Sequence, residues 1–326
     1  MVVWMGSASC AAARGAARKR TIGVTTEYAL QIDGLTKTFG ERAVVDDVSF
    51  AVQAGEVFGF LGPNGSGKTT NIRMALDIIR PDRGGVALLG TRPSLSTLRE
   101  VGYLPEAAGL PVKARVLDTI RYLARLKGLS RTEAEARADT LLQQVGLYDY
   151  RLKRVEALSL GMRQMIQFIV AIIHRPRLLI LDEPFAGLDP LNVKLMKDML
   201  AEHREAGATI MFSTHIMADV EEMCERIVLI SDGRLLLFGD LAEIRRERGV
   251  RAVQVQAAAI PEQLNGAPVE RLPGDVVEFR LEDGRTPESI FQAYAAAGVS
   301  VERFEQVMPS LTDIFIEEVS RAREGA

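Results

Sequence analysis

Gly62-Pro63-Asn64-Gly65-Ser66-Gly67-Lys68-Thr69 follows directly on the apolar run Val57-Phe58-Gly59-Phe60-Leu61, and no other stretch of the chain limits its fold so narrowly. The letters match G-x-x-x-x-G-K-[ST], and the run before them suits a strand buried on both faces. A strand that turns through glycines into a helix converges backbone N–H groups on one point, and the helix adds its positive N-terminal end. Phosphate oxygens are the natural occupant, with Lys68 placed for the β- and γ-phosphates and the Thr69 hydroxyl for Mg²⁺. A nucleoside triphosphate is the implied ligand. An incidental glycine-rich turn does not account for the lysine and the hydroxyl together.

A second apolar run, Leu178-Leu179-Ile180-Leu181, ends in Asp182-Glu183. Carboxylates at the tip of a buried strand are costly without a purpose. Asp182 is suited to hold Mg²⁺ through its water shell. Glu183 is placed to orient or deprotonate an attacking water, a contribution of about 10²- to 10⁴-fold for general base catalysis. Paired with the Gly62 loop, these acids point to hydrolysis more than to simple binding.

Thr209-Ile210-Met211-Phe212 and Ile227-Val228-Leu229-Ile230 repeat the buried-strand pattern, with helix-like stretches between. That alternation predicts a parallel sheet. Leu35 to Phe50 reads as short antiparallel strands. Val116 to Gly128 and Thr132 to Val145 carry apolar residues at helical spacing and read as a helical insertion. After Gly249, Val253 and Val255 alternate, Val276 to Leu281 follow, and Pro287 to Ala297 and Ser300 to Val307 read as helical. A small α+β unit closing with a helix Leu311 to Val319 is expected there. With 326 residues, two domains of roughly 100 to 200 residues are expected.

Composition is that of a globular chain, 47% hydrophobic and 25% charged, able to bury a core without disulfides or metals. A net charge of -3 gives no electrostatic case for nucleic-acid binding. Cys10 and Cys224 fit no metal-ligand spacing and no disulfide framework. No apolar run approaches the roughly 20 residues that span a bilayer, so a transport pore would belong to another chain.

A third element brings a family resemblance. Leu158-Ser159-Leu160-Gly161-Met162, before the Asp182-Glu183 strand, is similar to the signature segment of ABC-transporter ATPases, where most members read LSGGQ. In that family the segment faces the γ-phosphate of ATP held by the other subunit. The order of the remaining elements agrees: Gly187-Leu188-Asp189 resembles the D-loop, Ser213-Thr214-His215 resembles the strand end that carries the switch histidine, and Phe39 matches the aromatic that stacks on adenine. The resemblance covers about Leu30 to Arg248. It implies that residues Gly62 to Thr70, Thr70 included, bind ATP with Phe39, that Glu183 and His215 are catalytic, and that Thr69, Asp182 and Glu106 attend Mg²⁺. His174 and His203 lack such context and are read as structural.

Two positions depart from the family pattern. Tyr103-Leu104-Pro105-Glu106 places an acid where most members carry the Q-loop glutamine, and Met162 replaces the signature's last glutamine. An anionic Glu106 accepts hydrogen bonds but cannot donate those an amide can. This variant, with a small C-terminal domain, resembles the branch that includes sodium-extrusion and related export ATPases. The expected fold is therefore α/β: a P-loop NTPase core with a mostly parallel sheet, N-terminal antiparallel strands, a helical insertion, and a small C-terminal α+β domain. The expected division is 1–27, a disordered or misassigned N-terminal extension, 28–248, the ATPase domain with its insertion at about 107–160, and 249–326, the accessory domain. The resemblance implies an ATP-hydrolysing subunit with an integral membrane permease as partner, a homodimer or paired ATPase subunit, and a place at the cytoplasmic face of the membrane. The alternative within the family is a soluble ATPase of translation or DNA repair, which usually joins two ATPase domains or inserts a long coiled coil.

Overall fold

The computed structural model describes residues 27–107, 109–261, 264, 269–281 and 284–324. The expected N-terminal extension through residue 26, and Cys10 with it, lie outside the described residues.

Two long strands, β1 (Tyr28–Phe39) and β2 (Arg42–Gln53), pair antiparallel. They are longer than the short strands expected: Leu30, Ile32 and Leu35 of β1 and Val45, Val48, Phe50 and Val52 of β2 are buried, and bulges in the pairing carry the ladder out to the exposed turn at Phe39–Arg42. They lead into β3 (Val57–Leu61), all of whose residues are buried. Next come α1 (Lys68–Ala75), β4 (Arg83–Leu88), α2 (Leu95–Arg99) and β5 (Val101–Leu104). Helices α3 (Val116–Leu126) and α4 (Arg131–Gln144) pack on each other and against α5 (Leu160–Ile172). Helix α4 starts on a capping box, with Ser130 and Glu133 satisfying each other's backbone N–H groups at 3.2 and 3.0 Å. Then β6 (Leu178–Asp182), α6 (Pro190–Glu205), β7 (Thr209–Thr214), α7 (Met217–Met223) and β8 (Arg226–Ser231) alternate, and β9 (Arg234–Asp240) turns back on β8.

The central sheet has the order β5-β6-β7-β3-β8-β9 and is parallel except for β9. Strands β2, β1 and β4 form a second, antiparallel sheet. Phe58 and Phe60 of β3 and Phe50 of β2 fill the space between the two sheets, with ring centroids 5.7 Å (Phe50–Phe58) and 5.3 Å (Phe50–Phe60) apart. Each ring removed from water contributes about 1.5–3 kcal/mol, enough to clamp the antiparallel sheet over the β3 strand that carries the glycine loop. The opposite face of the central sheet buries α5, α6 and the α3–α4 pair in a second core that includes Phe168, Phe185 and Phe212.

After α8 (Leu241–Glu247) come β10 (Ala252–Ala257), β11 (Val269–Leu272), β12 (Val276–Arg280), α9 (Pro287–Ala296), β13 (Val301–Val307) and α10 (Leu311–Glu324). Four strands make an antiparallel sheet of order β11-β12-β10-β13, and Val253, Val255, Phe279, Ile290 and Tyr294 make its core. Residues 301–307 were expected to be helical and are a strand. Val301, Phe304 and Val307 sit at a helix-like spacing of three, but the register against β10 slips between Gln256 and Ala257. That bulge brings Val301 and Phe304 to one face of a strand. Helix α10 runs past the expected Val319 to Glu324. It packs on α7 and β9 and buries Leu311 and Ile314 as part of the large core of the ATPase fold. Its first N–H, from Leu311, donates to Glu221 Oε1 of α7 at 2.6 Å.

Candidate nucleotide-binding site

The loop Gly62–Gly67 joins β3 to α1, and two of its glycines are required by contact. A Cβ on Gly62 would lie 2.4 Å from the Ile230 carbonyl oxygen, and one on Gly67 would lie 2.5 Å from that of Val44. Gly67 also has φ 102°, a conformation that L side chains rarely adopt. The loop is therefore wedged between β8 and β2. Lys68, the first residue of α1, folds its ammonium back onto the carbonyls of Gly62 at 2.7 Å and Pro63 at 3.2 Å. Burial pushes its pKa down, opposed by the carboxylates of Glu183, Asp182 and Glu106. A buried cation held only by loop carbonyls and carboxylates is ready to meet an anionic ligand.

A cleft of about 190 Å³ opens over this loop, lined by Val44, Asn64, Gly65, Gly67, Lys68, Thr69, Thr70, Glu106, Asp182 and Glu183. Parallel pairing of β6 with β7 and of β7 with β3 brings Asp182 and Glu183 to its floor. Asp182 is fully buried, and its Oδ2 has no partner among the protein atoms. Such an orphaned anionic oxygen, on a residue that lines the same cleft as Thr69, suits a hard divalent cation. No group of three or more His, Cys, Asp or Glu among the described residues could hold a metal by itself. One carboxylate oxygen and one hydroxyl would suffice for Mg²⁺, which keeps waters and substrate phosphates as its other ligands. Glu106 Oε2 lies 3.5 Å from Thr69 Oγ1, a long contact.

Glu183 turns out of β6 with φ 49°, and its carboxylate lies 3.8 Å from the Lys68 ammonium. His215 follows β7 and places Nδ1 3.0 and 3.1 Å from the two Glu183 oxygens, so that nitrogen carries the proton and donates. Asp182, Glu183, His215, Lys68, Thr69 and Glu106 thus meet, as their motifs suggest. The other expected residues stand elsewhere. Phe39 ends β1 with half its surface exposed, the Lys37 ammonium 5.6 Å above its ring, and does not line the cleft. Ser159 caps α5, its hydroxyl accepting from Met162 N at 3.2 Å, and a Cβ added to Gly161 would lie 3.3 Å from the Gly187 carbonyl oxygen. Asp189 caps α6, accepting from the N–H groups of Leu191 at 3.0 Å and Asn192 at 3.1 Å. The Leu158–Met162 segment thus approaches the Gly187-Leu188 turn that precedes Asp189, and neither it nor Asp189 lines this chain's own phosphate cleft.

Several contributors carry no motif. Val44 roofs the loop from β2, and Gln167 of α5 reaches the carbonyls of Pro105 and Ala107 at 3.5 Å on either side of Glu106. Their signal lies in contacts between distant segments. His174 and His203 are structural as expected: each bonds a backbone carbonyl, Val101 at 3.3 Å and Met199 at 2.7 Å.

A fold and site of this kind define an ATP-binding, ATP-hydrolysing domain, and comparison with known proteins names its family. Residues 45–186 match the family "ABC transporter", and residues 239–319 match "ATP-binding protein DrrA1-3-like, C-terminal domain". The chain is similar to the uncharacterised ABC transporter ATP-binding protein YhaQ of Bacillus subtilis, with 39% identity over 90% of this chain and 100% of that protein. It is 36% identical to the Nod factor export ATP-binding protein I of Paraburkholderia xenovorans, over 70% of this chain and 77% of that one. A solved structure of the ATP-binding subunit of an ABC transporter superposes with a TM-score of 0.64 at 33% identity, covering 68% of this chain and 93% of the other. The chain belongs to the ATP-binding subunits of ABC transporters, which are ATPases.

Proposed function

We propose that this subunit energises an exporter: two copies, or this chain and a paired ATPase subunit, close on two ATP molecules and drive a separate permease from the cytoplasmic face of the membrane. The observation that carries the reading is that the Leu158–Met162 segment does not line the chain's own cleft and lies instead against the Gly187-Leu188 turn. A helix N-terminus suited to phosphate then has no phosphate of its own and completes the site of a second chain. Leu160 and Leu191, 59% and 82% exposed beside it, offer the apolar surface that such closure would cover. Likeness to a Nod factor export ATP-binding protein supports export over import. Among the described residues no helix is long and apolar enough to cross a membrane, which supports a permease on another chain.

Within the cleft, Gly62 to Thr70 cradle the triphosphate and Lys68 exchanges its loop carbonyls for the β- and γ-phosphates, while the exposed Phe39 ring, outside the cleft lining, stacks on the adenine. Thr69 and Asp182, with Glu106, attend Mg²⁺, which supplies charge neutralisation at the phosphates. Glu183 takes the proton of the attacking water, and His215 orients its carboxylate and senses the γ-phosphate. Residues 28–248 act as the ATPase unit and 249–326 as an accessory unit whose last helix returns to α7.

The test is affinity capture of the tagged chain from detergent-solubilised membranes with ATP present. Recovery of a multi-span permease is expected. Recovery only of ribosomal or DNA-repair proteins overturns the transport reading in favour of a soluble ATPase.

A further inference from the structure

Ser213 belongs to none of the motif roles above, yet it touches both acids of the cleft floor. It is fully buried in β7, directly opposite Asp182 in the parallel register. Its hydroxyl donates to Asp182 Oδ1 and accepts the Glu183 N–H at 3.1 Å. The Ser213 carbonyl accepts the same N–H, also at 3.1 Å. A serine hydroxyl has one proton to give, and here it is committed to a single oxygen of Asp182.

Two consequences follow for the acids. With Oδ1 held by Ser213, the Asp182 carboxylate is restrained in orientation, and Oδ2 is the oxygen left without a protein partner on a residue that lines the cleft. The doubly accepted N–H also pins the chain where Glu183 enters its left-handed conformation, φ 49°, from which its carboxylate reaches His215 and Lys68.

We propose that Ser213 is a positioning residue of the ATPase site: it fixes Asp182 so that one oxygen faces the divalent cation, and it holds the turn that aims Glu183. The inference rests on the reading of Asp182 as a Mg²⁺-attending residue. Ligand-orienting hydrogen bonds of this kind typically govern 10- to 100-fold in metal affinity or activity.

The test uses the full chain with ADP and Mn²⁺ as a paramagnetic substitute for Mg²⁺, reading bound metal by electron paramagnetic resonance. Ser213→Ala is expected to bind Mn²⁺ about 10-fold or more weakly in the presence of ADP. Its metal-free ADP affinity and its ligand-free melting temperature stay near those of the wild type. Ser213→Thr, which keeps the hydroxyl, restores Mn²⁺ binding. If Ser213→Ala melts early, the nearly isosteric Ser213→Cys, whose thiol is a weak donor, takes its place and is expected to lose metal affinity in the same direction. Unchanged Mn²⁺ affinity in a folded Ser213→Ala or Ser213→Cys chain overturns the inference. A wild-type chain that takes up no Mn²⁺ with ADP overturns instead the metal reading on which it rests.

Discussion

Acidification should loosen the strand that leads to Glu106, because His174 is held neutral against its carbonyl. His174 Nε2 donates to Val101 O of β5 at 3.3 Å, and its Nδ1 is buried without a partner. Lys127 donates to the same carbonyl and to that of Leu98, both at 2.7 Å. Burial, with the Lys127 cation adding to it, pushes the His174 pKa down from 6.5 to about 4. The folded chain thus resists a proton that the unfolded chain accepts. Stability from this residue is fully present above pH 6.5 and is lost as pH falls from there through about 4. One pKa unit is worth about 1.4 kcal/mol, so the full loss is about 3 kcal/mol, of which about 2 kcal/mol accrues between pH 7 and pH 5. Urea denaturation of the wild type and His174→Gln, at about pH 7 and about pH 5, isolates it, since every other titrating group is common to both. Glutamine can still donate to Val101 O but takes up no proton. The wild type is expected to lose about 2 kcal/mol more than the variant over that interval. Equal losses would refute the argument.

Two further outcomes test the site and the C-terminal helix. Glu183→Gln keeps the side chain's shape and its contact with His215 but removes the base, so ATP binding should persist while turnover falls by about 10²- to 10⁴-fold; size-exclusion chromatography with ATP should then show a long-lived dimer, and normal turnover would sink the catalytic assignment. Ile314→Ala opens a cavity where α10 enters the ATPase core, and it should cost about 2–5 kcal/mol in denaturant unfolding of the whole chain. An unchanged midpoint would mean that α10 does not dock there.

The phosphate loop and the acid pair were legible because their chemistry is local. Gly62 to Thr69 must be contiguous for successive N–H groups to converge, and Asp182-Glu183 declares itself by placing charge at the end of an apolar run. The alternation of apolar runs with helical spacing likewise announced the parallel sheet. Where period and context conflicted, the reading failed: Val301, Phe304 and Val307 imitate a helix, and only pairing with β10 makes them a strand. The length of β1 and β2 was underread for a related reason, since their common core is built from Phe50, Phe58 and Phe60 of different strands.

The sequence by itself determined which groups are available to a triphosphate and in what order, because glycine conformation, a lysine, a hydroxyl and paired acids act through neighbours in the chain. Tertiary structure alone decided that Ser213 faces Asp182, that His215 reaches Glu183, that Val44 roofs the loop, and that the start of α10 is held by Glu221. Strand order, parallel register and the burial of one helix face bring together segments tens to hundreds of residues apart. Their positions follow from the packing of whole sheets and cores, to which many residues contribute and which no short motif encodes.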